Sequence, residues 1–377
     1  MEPIKPFFFD MTEAEIAEFN EASAQILRSG NLILGEHTRL FEEEFAEFVG
    51  ARHAVAVNSG STGLEFLLRL EQVEDKTVLV QTNTNFATVA SVLRVGGRVR
   101  YLDMDRTTFA PSLEMVRQAV EHPADGDPPI AGVLWVHIGG VISPEFGHVV
   151  DYCHARGLFV LEDSAHAHGS KVGGVSSGAL ADGASFSFFP TKVMTTCEGG
   201  MMTFENEEWD MLARSLRNQG KRGANFGGLH HDFGNSCRIT ELGAALGRIQ
   251  LRKLPEMIRR RQAVYDVIAP MLDEAGIEYV STAHMDVASQ YKMIVLVPDG
   301  KSLKEVSAAM NEDNVFPGGT VYELPCHQQP VFGGVSPGGS YPVSDKWCPA
   351  HLCPPLTSGM DEEQARAVGE SLVRRLA

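Results

Sequence analysis

Short apolar, β-rich segments alternate with helix-like segments along the first half of the chain, and this alternation restricts the fold more than any other feature. Runs of about four to eight β-branched and aromatic residues are typical of buried strands, and apolar residues three or four positions apart are typical of helices. The strands predicted in this way cover residues 53–57, 78–81, 98–102, 132–137, 158–161, 184–189 and 201–204. Strands that alternate with helices form a mostly parallel sheet with helices on both faces, so the pattern predicts an α/β domain that binds ligands at the carboxyl ends of its strands.

The residue pattern after residue 207 differs from that of the first half, because it predicts more helix and fewer strands. A long helix is predicted from Thr240 and is expected to be interrupted at Pro255. The elements predicted beyond that point are a helix at 256–274, short strands within 289–297, a helix near 302–312 and a final helix from about Asp361. The pattern predicts a large domain, residues 1–245, and a smaller α+β domain, residues 246–377, with the first 30 or so residues as candidates to pack on the small domain.

Charge and hydropathy exclude several classes of function. The 377-residue chain carries 49 acidic and 32 basic residues, which gives a formal net charge of −17. General nucleic-acid binding needs a basic face, so this balance argues against it. The chain does not open with a basic segment followed by an apolar run, and no apolar run approaches the roughly 18 residues of a membrane span. We therefore expect a cytoplasmic protein that does not contact a membrane.

The six cysteines are scattered through the chain and are expected to be reduced thiols. The segment Cys348-Pro-Ala-His351-Leu-Cys353 faintly resembles a metal-binding box. Its spacing fits no common zinc pattern, and no second pair of ligands lies nearby in the sequence. Packed core residues are the better interpretation, and no metal site is predicted.

Three polar features lie at or just beyond predicted strand ends. Lys192 stands between two strand-like runs, where an ammonium is rarely placed unless it is paired or used, although most lysines are solvated loop residues. Asn58-Ser-Gly-Ser-Thr62 opens a helix directly after a strand, and the free backbone N–H groups of such a turn favour a phosphate. An ordinary tight turn explains this segment as well, because it is not a Walker sequence. Asp163 ends an apolar strand, where a carboxylate is often only a cap or turn residue.

The three features together suggest one chemistry. They supply an amine that can react with an aldehyde, an anion that can hold a pyridinium nitrogen, and a cradle for a phosphate. These are the requirements of pyridoxal phosphate (PLP) catalysis.

Nearly the whole chain resembles the DegT/DnrJ/EryC1/StrS family of PLP-dependent sugar aminotransferases. The matching segments, in the order of the family, are GNLILGEHTRLFEEEFAEFVGARHAVAVNSGSTGLEFLL, TNTNFATVASVLRVGG, VLEDSAHAHGSKVGG, SFSFFPTKVMTTCEGGMMTFEN, LRNQGKRG, HDFGNSCRITELGAALGRIQL, LPCHQQPVF and YPVSDKWCPAHLCPPL. The combination of D-x-x-H-A-x-G with S-x(4)-K is highly specific. The resemblance implies PLP fold type I: a large domain with a mostly parallel seven-stranded sheet between helices, and a smaller α+β C-terminal domain.

The resemblance also assigns roles around the cofactor ring. Lys192 would form the internal aldimine and, when released, move the proton between the substrate carbon and the cofactor. Asp163 would pair with the pyridine nitrogen and keep it protonated. Phe86 would stack on the face of the ring, and His166 would pack at the side of its hydroxyl group. The amino group would be carried as pyridoxamine phosphate between the two halves of the reaction.

Further roles follow from the resemblance for the phosphate and the substrate. The backbone amides of Gly60 and Ser61 and the hydroxyl of Ser187 would hold the phosphate. Asn235 resembles the asparagine that reaches the phosphate from the neighbouring subunit, which implies a homodimer with shared active sites. His327 is a candidate contact of the sugar, and Arg222 is a candidate contact of the diphosphate.

The chain departs from the family pattern at two positions beside this site. Cys197 takes a position where the family often has a small residue, and the usual Pro-x-x-Thr-Phe segment reads Gln81-Thr-Asn-Thr-Asn-Phe86. One branch of the family replaces the catalytic lysine with histidine and dehydrates the sugar; because Lys192 is present, the aminotransferase interpretation is preferred.

Three functions remain open on the sequence. The first is transfer of an amino group, with glutamate expected as donor, to a keto-deoxysugar linked to a nucleoside diphosphate, dTDP above all. The second is amination of a ketocyclitol or another antibiotic precursor. The third is a PLP-binding regulatory protein without turnover, against which the intact pair of Asp163 and Lys192 argues.

Overall fold

The computed structural model describes residues 2–123, 126, 128–223, 227–336 and 338–377. Its strands are β1 (His53–Val57), β2 (Thr77–Gln81), β3 (Arg98–Leu102), β4 (Ile130–Val136), β5 (Phe159–Asp163), β6 (Lys171–Val172), β7 (Val175–Ser176), β8 (Gly183–Ser187), β9 (Gly200–Phe204), β10 (Val295–Leu296) and β11 (His351–Leu352). Its α-helices are α1 (Glu13–Ser29), α2 (Glu36–Val49), α3 (Gly60–Leu70), α4 (Phe86–Arg94), α5 (Leu113–Glu121), α6 (Phe146–His154), α7 (Glu207–Arg217), α8 (Glu241–Ala275), α9 (Leu303–Glu312), α10 (Pro342–Trp347) and α11 (Glu362–Leu376).

A seven-stranded sheet in the order β1-β9-β8-β5-β4-β2-β3 forms the centre of the molecule. Only β9 runs against its neighbours in this sheet, since it pairs antiparallel with both β1 and β8 while the other pairs are parallel. The prediction of a mostly parallel seven-stranded sheet is confirmed. The six strands that share a direction therefore end at one edge, where ligands of α/β sheets bind.

Both faces of the sheet are covered by helices, because each strand sends alternate side chains to opposite faces. Val55 and Val57 of β1 lie in the same apolar cluster as Leu67 of α3. Ala56, between them, lies in a different cluster with Phe45 of α2. Strands that are buried on both faces read as continuous apolar runs, which is why the strand predictions for this half of the chain agree with the structure.

The expected interruption at Pro255 is wrong, because α8 is one continuous helix of 35 residues with Pro255 inside it. A proline in a helix interior costs about 3 kcal/mol or more through the lost hydrogen bond and the clash of its ring. The side chains around it, Leu251, Leu254, Met257 and Ile258, are all buried. Each of them contributes about 1.5 to 3 kcal/mol by burial, so packing outweighs the cost of the proline.

Strands were expected within residues 289–297, but the structure has only the two-residue strand β10 there. The preceding segment pairs with loops at the ligand-binding edge of the large sheet instead of with another strand. Ser289 N–H donates to Ser170 Oγ at 3.0 Å, and Lys292 N–H donates to the carbonyl of Gly139 at 3.1 Å. This docking places Tyr291 and Lys292 beside the site described below.

The N-terminal segment packs against C-terminal elements. Ile4 forms a bridge with Val315 and belongs to an apolar cluster with residues of α8, α9 and α11. Thr12 and Glu15 form a capping box at the start of α1, and Gly30 ends this helix in the left-handed conformation. The division of the chain at residue 245 stays a prediction, and α8 runs through that position. No helix among the described residues is long and apolar enough to cross a membrane.

Cys348, His351 and Cys353 are buried, and the two thiols lie in one apolar cluster. His351 Nε2 accepts a hydrogen bond from Val321 N–H at 2.8 Å, while Nδ1 lies 3.0 Å from the carbonyl of Trp347 and donates to it. Burial lowers the pKa of His351 to about 4, so the ring is neutral. Both ring nitrogens are thus engaged within the protein.

Glu241, the first residue of α8, holds the start of α2 through a buried carboxylate. Its oxygens accept the backbone N–H groups of Gly35, His37 and Thr38, each at 2.9 Å, and the Thr38 hydroxyl. We predict that Glu241→Gln lowers the free energy of unfolding by about 2 to 3 kcal/mol, because an amide N–H₂ would then face backbone donors in a buried site. Urea unfolding followed by circular dichroism measures this change.

Glu44→Gln is the matched control for this substitution. Glu44 pairs with Arg248 at 2.7 Å in a partly solvated position. Ion pairs of this kind contribute about 0 to 1 kcal/mol, so the control should lose less than that amount. Equal losses in the two variants would contradict the role given to Glu241.

Candidate active site

A cavity of about 300 Å³ opens at the carboxyl edge of the large sheet. Six residues that the sequence singled out contribute to its wall: Gly60, Ser61, Asp163, His166, Ser187 and Lys192. They come from the ends of β5 and β8, from the loops that follow these strands, and from the start of α3. Strand order explains why they meet, since β5 and β8 are neighbours and α3 follows β1 at the same edge.

Glycine at position 60 lets the start of α3 approach the end of β8. A Cβ atom on Gly60 would lie only 2.9 Å from the Cβ of Ser187 and 3.2 Å from the carbonyl oxygen of Phe186. Any side chain there would push the helix away from the strand. The small-residue turn in the sequence is therefore required by this close contact.

Lys192 lines the cavity, and its amine lies over the aromatic ring of Tyr291. Its Nζ is 4.9 Å from the centre of the Tyr291 ring. Burial lowers the pKa of Lys192 to about 8; the carboxylate of Asp163 opposes this change, and the charge of Lys292 adds to it. An amine with this pKa is partly unprotonated at neutral pH, as a nucleophile or general base must be.

Asp163 is the last residue of β5, and its side chain is 5% exposed. Thr88 Oγ1 donates to one carboxylate oxygen at 2.7 Å, and Ala165 N–H donates to the other at 3.2 Å. Burial raises the pKa of Asp163, while these hydrogen bonds and the charge of Lys192 lower it. A cationic N–H group placed against this carboxylate would stabilise its charged form.

His166 is held as a neutral imidazole with a defined tautomer. Its ring stacks on Tyr291 with centroids 4.4 Å apart, and the backbone N–H of Gly139 donates to Nδ1 at 3.2 Å. The ring proton therefore resides on Nε2, which lies 3.4 Å from the hydroxyl of Tyr322. Burial holds the pKa of His166 well below its usual value, and the charges of Lys192 and Lys292 lower it further. His166 can thus donate one hydrogen bond to a ligand oxygen.

The start of α3 offers donors for an anion. Ser59 caps the helix through the backbone N–H of Thr62 at 3.2 Å, which leaves the preceding N–H groups of Gly60 and Ser61 for another acceptor. Within the described part of the chain, neither these two amides nor the Ser187 hydroxyl has a hydrogen-bond partner. Unpaired amides at a helix start form a site for a phosphate.

The ring of Phe86 does not line this cavity, and its stacking on a ligand stays a prediction. Phe86 is the first residue of α4, and its helical position turns the ring outward, where it stacks on Phe332 with centroids 5.4 Å apart. Its neighbours Asn85 and Ala87 line the cavity instead. Asn85 caps α4 by accepting the N–H of Ala87 at 2.9 Å.

Three other sequence-predicted residues lie outside this cavity. Asn235 is exposed on the segment between α7 and α8. Arg222, on the same segment, is paired with Asp232 at 2.7 Å. His327 lies between Thr82 and Asp345, with Nδ1 2.7 Å from the Thr82 hydroxyl and Nε2 2.9 Å from the carboxylate. Both nitrogens of His327 are engaged, and its ring does not line the cavity of this chain.

Sequence reasoning missed several residues of the site. Thr88 is separated from its partner Asp163 by 75 positions, and it gave no signal because a threonine inside a helix is common. Tyr291 and Tyr322 come from the C-terminal part of the chain, where no motif marked them. Thr88 follows Asn85 by about one helical turn and therefore lies on the same side of α4, which is the signal that could have pointed to it.

The sheet and the site define a class of protein. A lysine amine beside a buried carboxylate, with free amides at a helix start, is the set of groups with which PLP enzymes hold their cofactor. The chain belongs to the DegT/DnrJ/EryC1/StrS aminotransferase family, whose model matches residues 13–373. It is an aminotransferase of this PLP-dependent family.

Individual relatives are similar to this chain over nearly their full length. The dTDP-4-dehydro-2,3,6-trideoxy-D-glucose 4-aminotransferase of Saccharopolyspora spinosa is 29% identical over 371 residues, which cover 93% of this chain and 92% of the relative. The pleiotropic regulatory protein of Geobacillus stearothermophilus is 27% identical over 356 residues and covers 92% and 91%. The crystal structure of the aminotransferase TlmJ from Streptoalloteichus hindustanus has a TM-score of 0.88 and 26% identity and covers 99% of both chains.

Proposed function

We propose that this protein transfers an amino group, with glutamate as donor, to a keto-deoxysugar carried by a nucleoside diphosphate, most of all dTDP. The observation that carries the proposal is the amine of Lys192 in one cavity with the carboxylate of Asp163 and the open amides of α3. The name of the Saccharopolyspora relative supports the choice of a dTDP-linked sugar. The acceptor, the carbon aminated and the stereochemistry of the product are left to experiment.

The residues of the cavity fit PLP. Lys192 would hold the aldehyde carbon, Asp163 the ring nitrogen, and Gly60, Ser61 and Ser187 the phosphate. His166, with its proton on Nε2, would donate to the oxygen of the ring hydroxyl. When bound, PLP withdraws electrons from the donor carbon and carries the amino group to the acceptor as pyridoxamine phosphate.

Lys192 has two tasks in this proposal. Its amine would hold PLP at rest, and when a donor amine took that place the amine of Lys192 would move a proton from the α-carbon of the donor. A pKa of about 8 suits both tasks, because the amine is neutral in an appreciable fraction of molecules at neutral pH. Asp163, whose carboxylate is held by Thr88 and Ala165, would stabilise a protonated ring nitrogen.

A homodimer with shared active sites is part of the proposal. The exposure of Asn235, outside the cavity of its own chain, supports a role for it in the site of a second copy. Exposed aromatic rings flank the site and the segment: Phe86 is 46% exposed, Phe189 44% and Phe233 98%. Large exposed apolar groups of this kind mark interaction surfaces.

Absorbance spectroscopy of the PLP-loaded protein tests the reaction. We expect the visible band of bound PLP to shift when glutamate is added and to return when an acceptor is supplied. A panel of dTDP-linked keto sugars and of free ketocyclitols, scored for the amine product, separates the sugar from the cyclitol proposal. If no amino donor shifts the band, the protein binds PLP without turnover and the enzymatic proposal is wrong.

A further inference from the structure

A second interior lysine, Lys292, lies behind the site and has no role in the proposed reaction. Its Nζ donates to the carbonyl of Gly318 at 3.3 Å. Among the described residues, no carboxylate lies within ion-pair distance of this nitrogen. An ammonium that is buried without a counter-ion costs free energy, and such groups concentrate where they serve a function.

Packing holds Lys292 in one position. Its backbone N–H donates to the carbonyl of Gly139, the residue whose own N–H donates to His166. The side chain occupies the space left by the missing side chain of Gly318, since a Cβ atom there would lie 2.5 Å from Nζ. The ammonium is therefore fixed relative to the active site at both ends of its side chain.

Both lysines lie against one aromatic ring. Lys292 Nζ lies 5.6 Å from the centre of the Tyr291 ring, and Lys192 Nζ lies 4.9 Å from the same centre. Both side chains are half-buried, so their charges interact more strongly than they would in bulk solvent. Two positive charges held against the same ring disfavour each other.

We propose that Lys292 is a positioning residue whose ammonium, held against Tyr291, disfavours protonation of the amine of Lys192 and so raises the share of molecules in which that amine can react. The proposal rests on the role of Lys192 in the proposed function. Lys292 itself touches neither the cavity nor the reacting atoms. It acts by raising the cost of a second positive charge in the site.

Several other charged and titratable groups surround Lys192 and affect the pKa of its amine. The groups that face Lys192 are Asp163, His166, His168, Glu198, Tyr291 and Tyr322. Asp163 raises the pKa of Lys192, and burial keeps both histidines neutral. Burial and the charge of Arg261 lower the pKa of Lys292, while its Nζ donates a hydrogen bond to the carbonyl of Gly318. Besides burial itself, Lys292 is thus the group that favours the neutral amine.

Competitive acetylation measures the protonation of Lys192 directly in the cofactor-free protein. Acetic anhydride reacts with the neutral amine, and mass spectrometry of the Lys192 peptide as a function of pH gives the midpoint. We expect a midpoint near 8 in the native chain and a value about one pH unit higher in Lys292→Met, because loss of the neighbouring charge favours protonation. Lys292→Arg, which keeps the charge, should leave the midpoint near the native value.

Two further variants keep the test decisive. Gly318→Ala crowds the ammonium out of its position and should raise the midpoint even if Lys292→Met does not fold. Lys253→Met removes another interior lysine, which is paired with Asp10 and Glu15, and should leave Lys192 unchanged. An unchanged midpoint in folded Lys292→Met, or an equal rise in Lys292→Arg, would overturn the proposal. Because acetylation needs no turnover, failure of the proposed reaction would not affect this measurement.

Discussion

Lys192→Ala should abolish amino-group transfer, with a loss of at least about 10⁴-fold in kcat, because the substitution removes both the nucleophile that holds the cofactor and the base that moves the proton. The purified variant should also lack the absorbance band of covalently bound PLP. Added methylamine should restore part of the activity, since it supplies a base to the space that the side chain leaves. A variant that transaminates at a native rate without added amine would refute the role of Lys192.

Lys346→Ala is the matched control for this loss. Lys346 lies on the surface and pairs with Asp299 at 3.0 Å, so its removal changes charge without touching the site. Its activity should stay within about twofold of native, as for most surface substitutions away from special features. A loss comparable to that of Lys192→Ala would point to the handling of the protein and not to the chemistry of the site.

The lowered pKa of Lys192 also predicts a pH dependence of stability. The pKa is about 8 in the folded cofactor-free protein and 10.5 when unperturbed, so between these values the unfolded chain binds more protons and stability rises with pH. Below about pH 8 the full cost of the protonated amine is present, on the order of 3 kcal/mol. Lys192→Met should therefore be more stable than the native chain at pH 7, and the difference should shrink towards pH 10. A constant difference in urea unfolding would contradict the lowered pKa.

Much of the large sheet could be predicted from the sequence because its strands are buried on both faces. Such strands appear as continuous apolar runs, and the edge at which they end fixes where Asp163 and the turn at Gly60 must meet. The C-terminal part was harder for a physical reason. Pro255 breaks a helix locally, but the burial of the surrounding side chains decides the outcome, and burial is not visible in a local pattern.

The finer geometry of the site depends on contacts between distant parts of the chain. At the start of α4, Asn85 and Ala87 line the cavity while the ring of Phe86 stacks on Phe332, and a motif alone does not show which of these side chains faces the cavity. Tyr291 reaches the site because residues 289–292 form hydrogen bonds with loops of the large sheet. Contacts of this kind leave no periodic pattern of apolar residues in the sequence. Sequence motifs indicated the chemistry of the site. The residues that pack against Lys192 and Asp163, namely Tyr291 and Thr88, could be identified only from the folded structure.

Asp163→Asn should lower kcat by about 10³-fold, because it removes the negative charge expected to stabilise a cationic ring nitrogen while it keeps the shape of the side chain. The amide can still accept from Thr88 Oγ1, which lies 2.7 Å from the carboxylate in the native chain. The variant should therefore fold and still bind PLP. Covalent binding by Lys192 should persist, so the loss should appear in the rate of proton transfer and not in cofactor occupancy.

Thr88→Val separates the charge of Asp163 from its positioning. It removes the hydrogen bond to the carboxylate but keeps the charge, so we expect a loss of about tenfold, the value of one hydrogen bond to a charged group. Single-turnover reaction with deuterated glutamate should show a slowed and isotope-sensitive proton step in Asp163→Asn. If Thr88→Val were as damaging as Asp163→Asn, the geometry held by the threonine, and not the charge, would be the main contribution of this strand end. A larger loss in Asp163→Asn would instead assign the effect to the buried charge, as the position of Asp163 at the end of β5 leads us to expect.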